Sequence, residues 1–120
     1  MNFYEEKLKN LQKSKFRAKF KLYSADFEYI EKKGIETIKS HAFDFVNGRL
    51  SDTSKIVDGK QTPMRGHPVF VAQHATATCC RGCLNKWHKI ETGRLMTNDE
   101  VDFAVNLIMC WIENQIKNHS

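Results

Sequence analysis

Thr97-Asn-Asp-Glu-Val-Asp-Phe-Ala-Val-Asn-Leu-Ile-Met-Cys-Trp-Ile-Glu-Asn-Gln-Ile116 is the stretch that decides the fold class. It opens on Thr-x-x-Glu, a capping box in which hydroxyl and carboxylate satisfy free backbone amides reciprocally. Val101, Ala104, Val105, Ile108, Trp111, Ile112 and Ile116 then recur at helical spacing and form one broad apolar stripe. The pattern predicts a C-terminal helix over 97–118. A stripe that wide must be covered, so the rest of the chain has to supply matching faces.

Several segments can do so. Residues 2–14 read as an amphipathic helix with Phe3, Tyr4, Leu8 and Leu11 near one face. In the segment 15–22, Phe16, Phe20 and Leu22 are expected to anchor to the core, with Arg17, Lys19 and Lys21 pointing outward. Ser24 opens a helix with Asp26 in its first turn, and Gly34 closes it. Ile35, Ile38, Ala42, Phe45 and Val46 predict a helix from Ile35 to Leu50. Residues 51–66 hold two Gly, one Pro and many short polar side chains, which reads as a long functional loop. Pro68 suits the first turn of a helix, although Val69-Phe70-Val71 could equally be a strand. A further helix is expected over Ala77–Ile90, with Leu84, Trp87 and Ile90 inward and a break at Gly93. The predicted architecture is a mainly α, single-domain bundle of about five helices over residues 1–120. Its parts are a basic N-terminal helical segment (1–24), a loop and His/Cys motif (58–90) and the C-terminal helix.

The 120 residues suffice for one domain with an apolar core and no disulfide staples. No apolar run is long enough to span a membrane, so no membrane partner is expected. The N-terminus lacks the charged-then-apolar order of a signal peptide, which points to the cytoplasm and to reduced thiols. The net charge of +5 is uneven. Residues 1–24 and 55–96 each carry seven basic and two acidic side chains, whereas 25–54 and 97–120 are net acidic. Such asymmetry favours a partner bearing phosphates.

Chemistry concentrates between Gly59 and Ile90, where there is no Asp and no Glu. Cys80-Arg-Gly-Cys83 has the spacing of a metal knuckle, and His88 extends it to Cys-x2-Cys-x4-His. The position where a zinc knuckle would place its fourth ligand is Gly93, so Cys79, His74, His67 or Cys110 would have to complete the set. Zinc held by Cys79, Cys80, Cys83 and His88 is therefore one expectation. Plain packing of small apolar thiols is the other, and for Cys110 it is the favoured one. A Cys-His catalytic pair is also open, because cationic surroundings lower a thiol pKa. In the loop, Lys60, Gln61, Thr62 and Arg65 lie among flexible glycines and suit a phosphate group, although the order is not that of a Walker loop and these residues alone favour a plain solvated loop.

The run His67-Pro-Val-Phe-Val-Ala-Gln-His-Ala-Thr-Ala-Thr-Cys-Cys-Arg-Gly-Cys-Leu-Asn-Lys-Trp-His88 resembles a family of short bacterial and phage proteins known only as a domain of unknown function. Phe16-Arg-Ala-Lys-Phe20, His41-Ala42, Asp58-Gly-Lys-Gln-Thr-Pro63 and Trp111-Ile-Glu113 fit the same pattern, whereas Ser51-Asp52 replaces its usual Ala-Pro. The resemblance implies that the polar residues of 58–88 belong to a shared site. It names no substrate.

Three functional classes follow. The first is binding of a phosphorylated ligand: a nucleotide, a nucleotide-derived signal or nucleic acid. Lys60, Arg65, Arg81 and Lys86 would hold phosphates, Gln61, Thr62 and His67 would add hydrogen bonds, and Gln73, His74 or Trp87 would meet a base. The second is a zinc- or thiol-dependent enzyme acting on such a substrate. The third is a structural helical interaction domain. The first is favoured by the charge pattern, and it requires the carboxylate-poor middle third to fold into one basic pocket.

Overall fold

The computed structural model describes residues 3–51 and 62–119. They form seven helices, with no strand among the described residues: α1 (Phe3–Leu11), α2 (Lys15–Ala18), α3 (Ser24–Lys33), α4 (Ile35–Arg49), α5 (Pro68–Ala75), α6 (Arg81–His88) and α7 (Asn98–His119). The mainly α reading holds. The count exceeds the expected five because the chain also uses the single-turn α2 and the short α5.

The long α7 is the spine, and α4, α5 and α1 pack on it. Its cap is the expected one: Glu100 N–H donates to Thr97 Oγ1 (3.1 Å) and Thr97 N–H donates to Glu100 Oε1 (2.9 Å). Glu100 also receives both Nη groups of Arg94 at 2.8 Å, which ties the preceding loop to the helix start. Ala104, Leu107, Ile108 and Ile112 are fully buried against Ile38, Ala42 and Val46 of α4 and Val69 and Ala72 of α5. Each buried Leu, Ile or Val contributes about 1.5–3 kcal/mol of burial and each Ala less than about 1 kcal/mol, so the stripe contributes strongly to stability.

Local departures from the sequence reading have local causes. Ser24 begins α3 but does not cap it; Asp26 Oδ2 instead accepts from Tyr23 N–H at 3.0 Å. Gly34 (φ +88°) joins α3 directly to α4, a backbone conformation that L side chains rarely adopt. Val69-Phe70-Val71 is helical, because Pro68 sits at the first position of α5 and His67 caps it: Val69 N–H donates to His67 Nδ1 at 3.0 Å. The helix expected over 77–90 is confined to α6. Ala77 adopts φ +59°, Thr78 N–H folds back on Gln73 O (2.8 Å), and Cys80 caps α6 through its sulfur. Phe16, expected in the core, is 44% exposed, while Leu22 is buried and Phe20 packs against the core edge. Arg17, expected to point outward with Lys19 and Lys21, is buried, and only the two lysines are exposed.

Candidate metal centre

The backbone reversal between α5 and α6 gathers three thiols. Cys79 lies at the end of the turn, Cys80 is the N-cap of α6, and Cys83 sits one turn into it. Cys83 N–H donates to Cys80 Sγ at 3.4 Å, so capping itself draws the two sulfurs together. The three Sγ atoms all lie within 4.8 Å of one another. A tetrahedral ion with metal–sulfur bonds of about 2.3 Å would require sulfur separations of about 3.8 Å, a small contraction. Among the described residues this is the group of side chains whose spacing suits a metal ion.

The fourth partner of the thiols is a cation. Arg17 Nη2 donates to Cys83 Sγ at 3.1 Å, and Nη1 reaches Cys79 Sγ at 3.6 Å and His74 O at 2.6 Å. Burial alone would lower the Arg17 pKa, but the hydrogen bonds to Cys79 and Cys83 outweigh it and keep the guanidinium charged. The hydrogen bonds from Cys79 and Cys80, with Arg17 beside them, hold the Cys83 thiol far below its ordinary value. The Cys79 thiol is pushed up through its contacts with Cys80 and Cys83 and by burial. Cys80 is also raised: its contact with Cys79 works against this, and the Cys83 contact and burial prevail. The Arg17 guanidinium thus favours negative charge on the thiol cluster and makes its shortest sulfur contact with Cys83.

Arg17 was the functional residue hidden from the sequence reading. A cation inside Phe-Arg-Ala-Lys-Phe, with one aromatic on each side, was the available signal. The choice between inward and outward depended on where α2 docks, and it packs on α5.

The remaining predicted residues do not share one hollow. His74 is buried, stacks on Phe20 (ring centroids 5.7 Å apart), and its Nε2 lies 3.1 Å from Pro63 O and 3.3 Å from Thr62 O. Burial lowers its pKa. Thr62 is buried too, and its hydroxyl donates to Cys79 O at 2.7 Å, so it braces the thiol turn. Gln73 is buried and its amide donates to Thr78 O at 3.1 Å. Arg81 is fully buried: Nη1 donates to Leu50 O (3.1 Å), Ser51 O (3.2 Å) and Arg94 O (2.9 Å), and Nη2 donates to Glu91 O. It clamps the end of α4 to the loop before α7. His88 Nε2 donates to Thr76 O at 2.8 Å and its ring meets Phe103 edge-on, placing it outside the sulfur group. Its pKa is lowered, chiefly by burial. His67 Nε2 donates to His41 Nδ1 at 3.0 Å within a shell of Tyr29, Phe45 and Phe70. Trp87 is half-buried against the core, Lys86 is exposed, and Arg65 is exposed on a separate groove. Lys60 and Gln61 fall outside the described residues. Cys110, expected to pack, does lie against the core, and its thiol donates to Glu5 Oε1 at 3.3 Å.

No helix among the described residues is long and apolar enough to cross a membrane. A family model described as "Domain of unknown function (DUF4186)" matches residues 5–113. No solved structure matches the chain.

Proposed function

The chain belongs to that family of unknown function, and from the site itself we propose that Cys79, Cys80 and Cys83 bind one thiophilic divalent ion, zinc foremost, leaving its fourth position to a ligand from outside the chain. The observation that carries this reading is the convergence of three sulfur atoms within 4.8 Å, on a turn that its own hydrogen bonds hold in shape. Three thiolates around a divalent ion leave one net negative charge, and the buried Arg17 guanidinium neutralises it. The imidazoles of His74, His88 and His67 lie outside the sulfur group: His74 and His88 each meet a carbonyl through Nε2, His67 pairs with His41, and His88 Nδ1 is buried without a partner. Residues 52–61 contain neither Cys nor His, and their only carboxylates are Asp52 and Asp58. Three protein ligands with one exchangeable position is the arrangement of metals that bind or activate a ligand, whereas purely structural zinc sites are closed by four.

Elemental analysis of protein purified without added metal tests this, together with cobalt substitution. The expected result is one ion per chain, with a cobalt spectrum showing sulfur-to-metal charge transfer and tetrahedral bands. Changing Cys79, Cys80 or Cys83 singly to Ser should abolish stoichiometric binding, whereas Cys110→Ser should leave it intact. Protein that carries no metal and is not stabilised by added zinc at about a thousand times micromolar affinity, where about 4 kcal/mol is expected, would defeat the reading.

A second reading rests on the 3.1 Å contact between Arg17 and Cys83. In the metal-free protein, the Arg17 contact favours the thiolate of Cys83, which is partly exposed and has two further thiols beside it. Such a group is a nucleophile. Its alkylation rate should stay nearly flat between about pH 6 and 8, where an ordinary thiol gains about tenfold per unit.

A further inference from the structure

We propose a second site, independent of the thiol cluster: a groove between the connection 19–23 that follows α2, the start of α3, the segment 64–66 and α5, which binds a small phosphorylated aromatic compound of the nucleoside monophosphate class. The groove has a volume of about 450 Å³, within the range of about 300–1,000 Å³ usual for small-molecule sites. Lys19, Lys21 and Arg65 line it, against the single carboxylate of Asp26. That carboxylate already accepts the Tyr23 N–H at 3.0 Å. The balance facing a ligand is therefore positive, and it matches a dianionic phosphate.

The aromatic half of the recognition comes from Phe20 and Tyr23, which also line the groove. Phe20 is held in place by its stack on the buried His74 ring at 5.7 Å. Tyr23 is 63% exposed, so its ring is accessible to a ligand in the groove. The lysines are not loose tethers. Lys19 Nζ lies 4.6 Å from the Phe16 ring centroid and 5.4 Å from that of Phe20, and Lys21 Nζ lies 5.3 Å from that of Tyr23. Cation–π contacts of this kind restrict the side chains before a ligand arrives, which lowers the entropic cost of binding. Cations interleaved with exposed rings suit a ligand that is anionic at one end and planar at the other.

Calorimetric titration of the protein as purified, with each of the four nucleoside 5′-monophosphates, provides the test. At least one should bind in the range of about 10 µM to 1 mM. The matching nucleoside and inorganic phosphate should each bind at least about tenfold more weakly, since each offers half of the contacts. Lys21→Glu and Arg65→Glu, both at exposed positions, should leave the melting temperature unchanged and weaken the nucleotide about tenfold. Cys83→Ser should retain nucleotide binding, which separates this proposal from the metal reading. Absence of binding by all four monophosphates at millimolar concentration overturns the proposal. So does a nucleoside that binds as tightly as its nucleotide, because the cations would then be idle. A single-stranded 12-mer that binds about a hundredfold more tightly than any monophosphate, with steep salt dependence, also overturns it and makes the face a nucleic-acid surface.

Discussion

Replacing Arg17 with Met separates the two roles that the guanidinium plays. In the folded protein it makes two close charge-assisted bonds, to His74 O at 2.6 Å and to Cys83 Sγ at 3.1 Å. The 3.6 Å contact with Cys79 is long and adds little. Hydrogen bonds to a charged group contribute about 1.5–3 kcal/mol each, and Met avoids the cost of desolvating the guanidinium. The expected loss is therefore about 3–4 kcal/mol. For a domain of this size that lowers the melting temperature by about 12–16 °C. The assay is thermal and urea unfolding of reduced, metal-stripped protein, followed by circular dichroism. On the same variant, cobalt affinity should fall about 10–100-fold, the usual effect of removing a group that supports metal ligands without touching the metal. Arg17→Lys should rescue little of either, because one ammonium cannot span a carbonyl and two sulfurs as the planar fork does. A loss below about 1 kcal/mol would refute this account, since bonds this short in a buried setting cannot be worth so little. Complete rescue by Lys would show that charge alone matters and that the geometry does not.

Three other outcomes are expected. Arg81→Leu removes the donor shared by Leu50, Ser51, Glu91 and Arg94 carbonyls, and chemical denaturation should show a loss of about 3–5 kcal/mol. His67 has a pKa lowered to about 4, first by burial and then by His41. The unfolded chain therefore binds more protons between about pH 6.5 and 4, so stability falls as pH drops through that window and levels off below it. The full shift would be worth about 3 kcal/mol; with partial exposure discounted, acidification from about pH 7 to 4 should cost the native protein about 1–2 kcal/mol more than it costs His67→Asn, which keeps a capping acceptor but does not titrate. Thr97→Ala should cost about 1 kcal/mol by equilibrium unfolding, through loss of the hydroxyl that accepts Glu100 N–H.

The helical class, the α7 stripe, the Thr97 cap and the Gly34 junction were all legible along the chain, whereas Pro68 offered a helix start without excluding a strand over Val69-Phe70-Val71. Each is a matter of neighbours within four residues, and hydrophobic periodicity and capping chemistry operate at that range. The thiols were visible as candidate ligands for the same reason, since Cys80-x2-Cys83 is a local spacing. What sequence could not deliver was the difference between a charged residue that meets a ligand and one that holds the fold. Arg81 and Gln73 looked like binding residues and are buried braces, while Arg17 looked like surface and is the counter-charge of the sulfur cluster.

The chain by itself therefore determined what its helices are and which sulfur atoms fall on one turn. Tertiary structure alone decided which cation meets them, and that the basic middle third divides between a buried thiol turn and an open groove. Helix type is set by contacts a few residues apart. Arg17 and Cys83 stand 66 residues apart, and their meeting depends on how α2 docks against α5, a packing of shapes that no local pattern encodes.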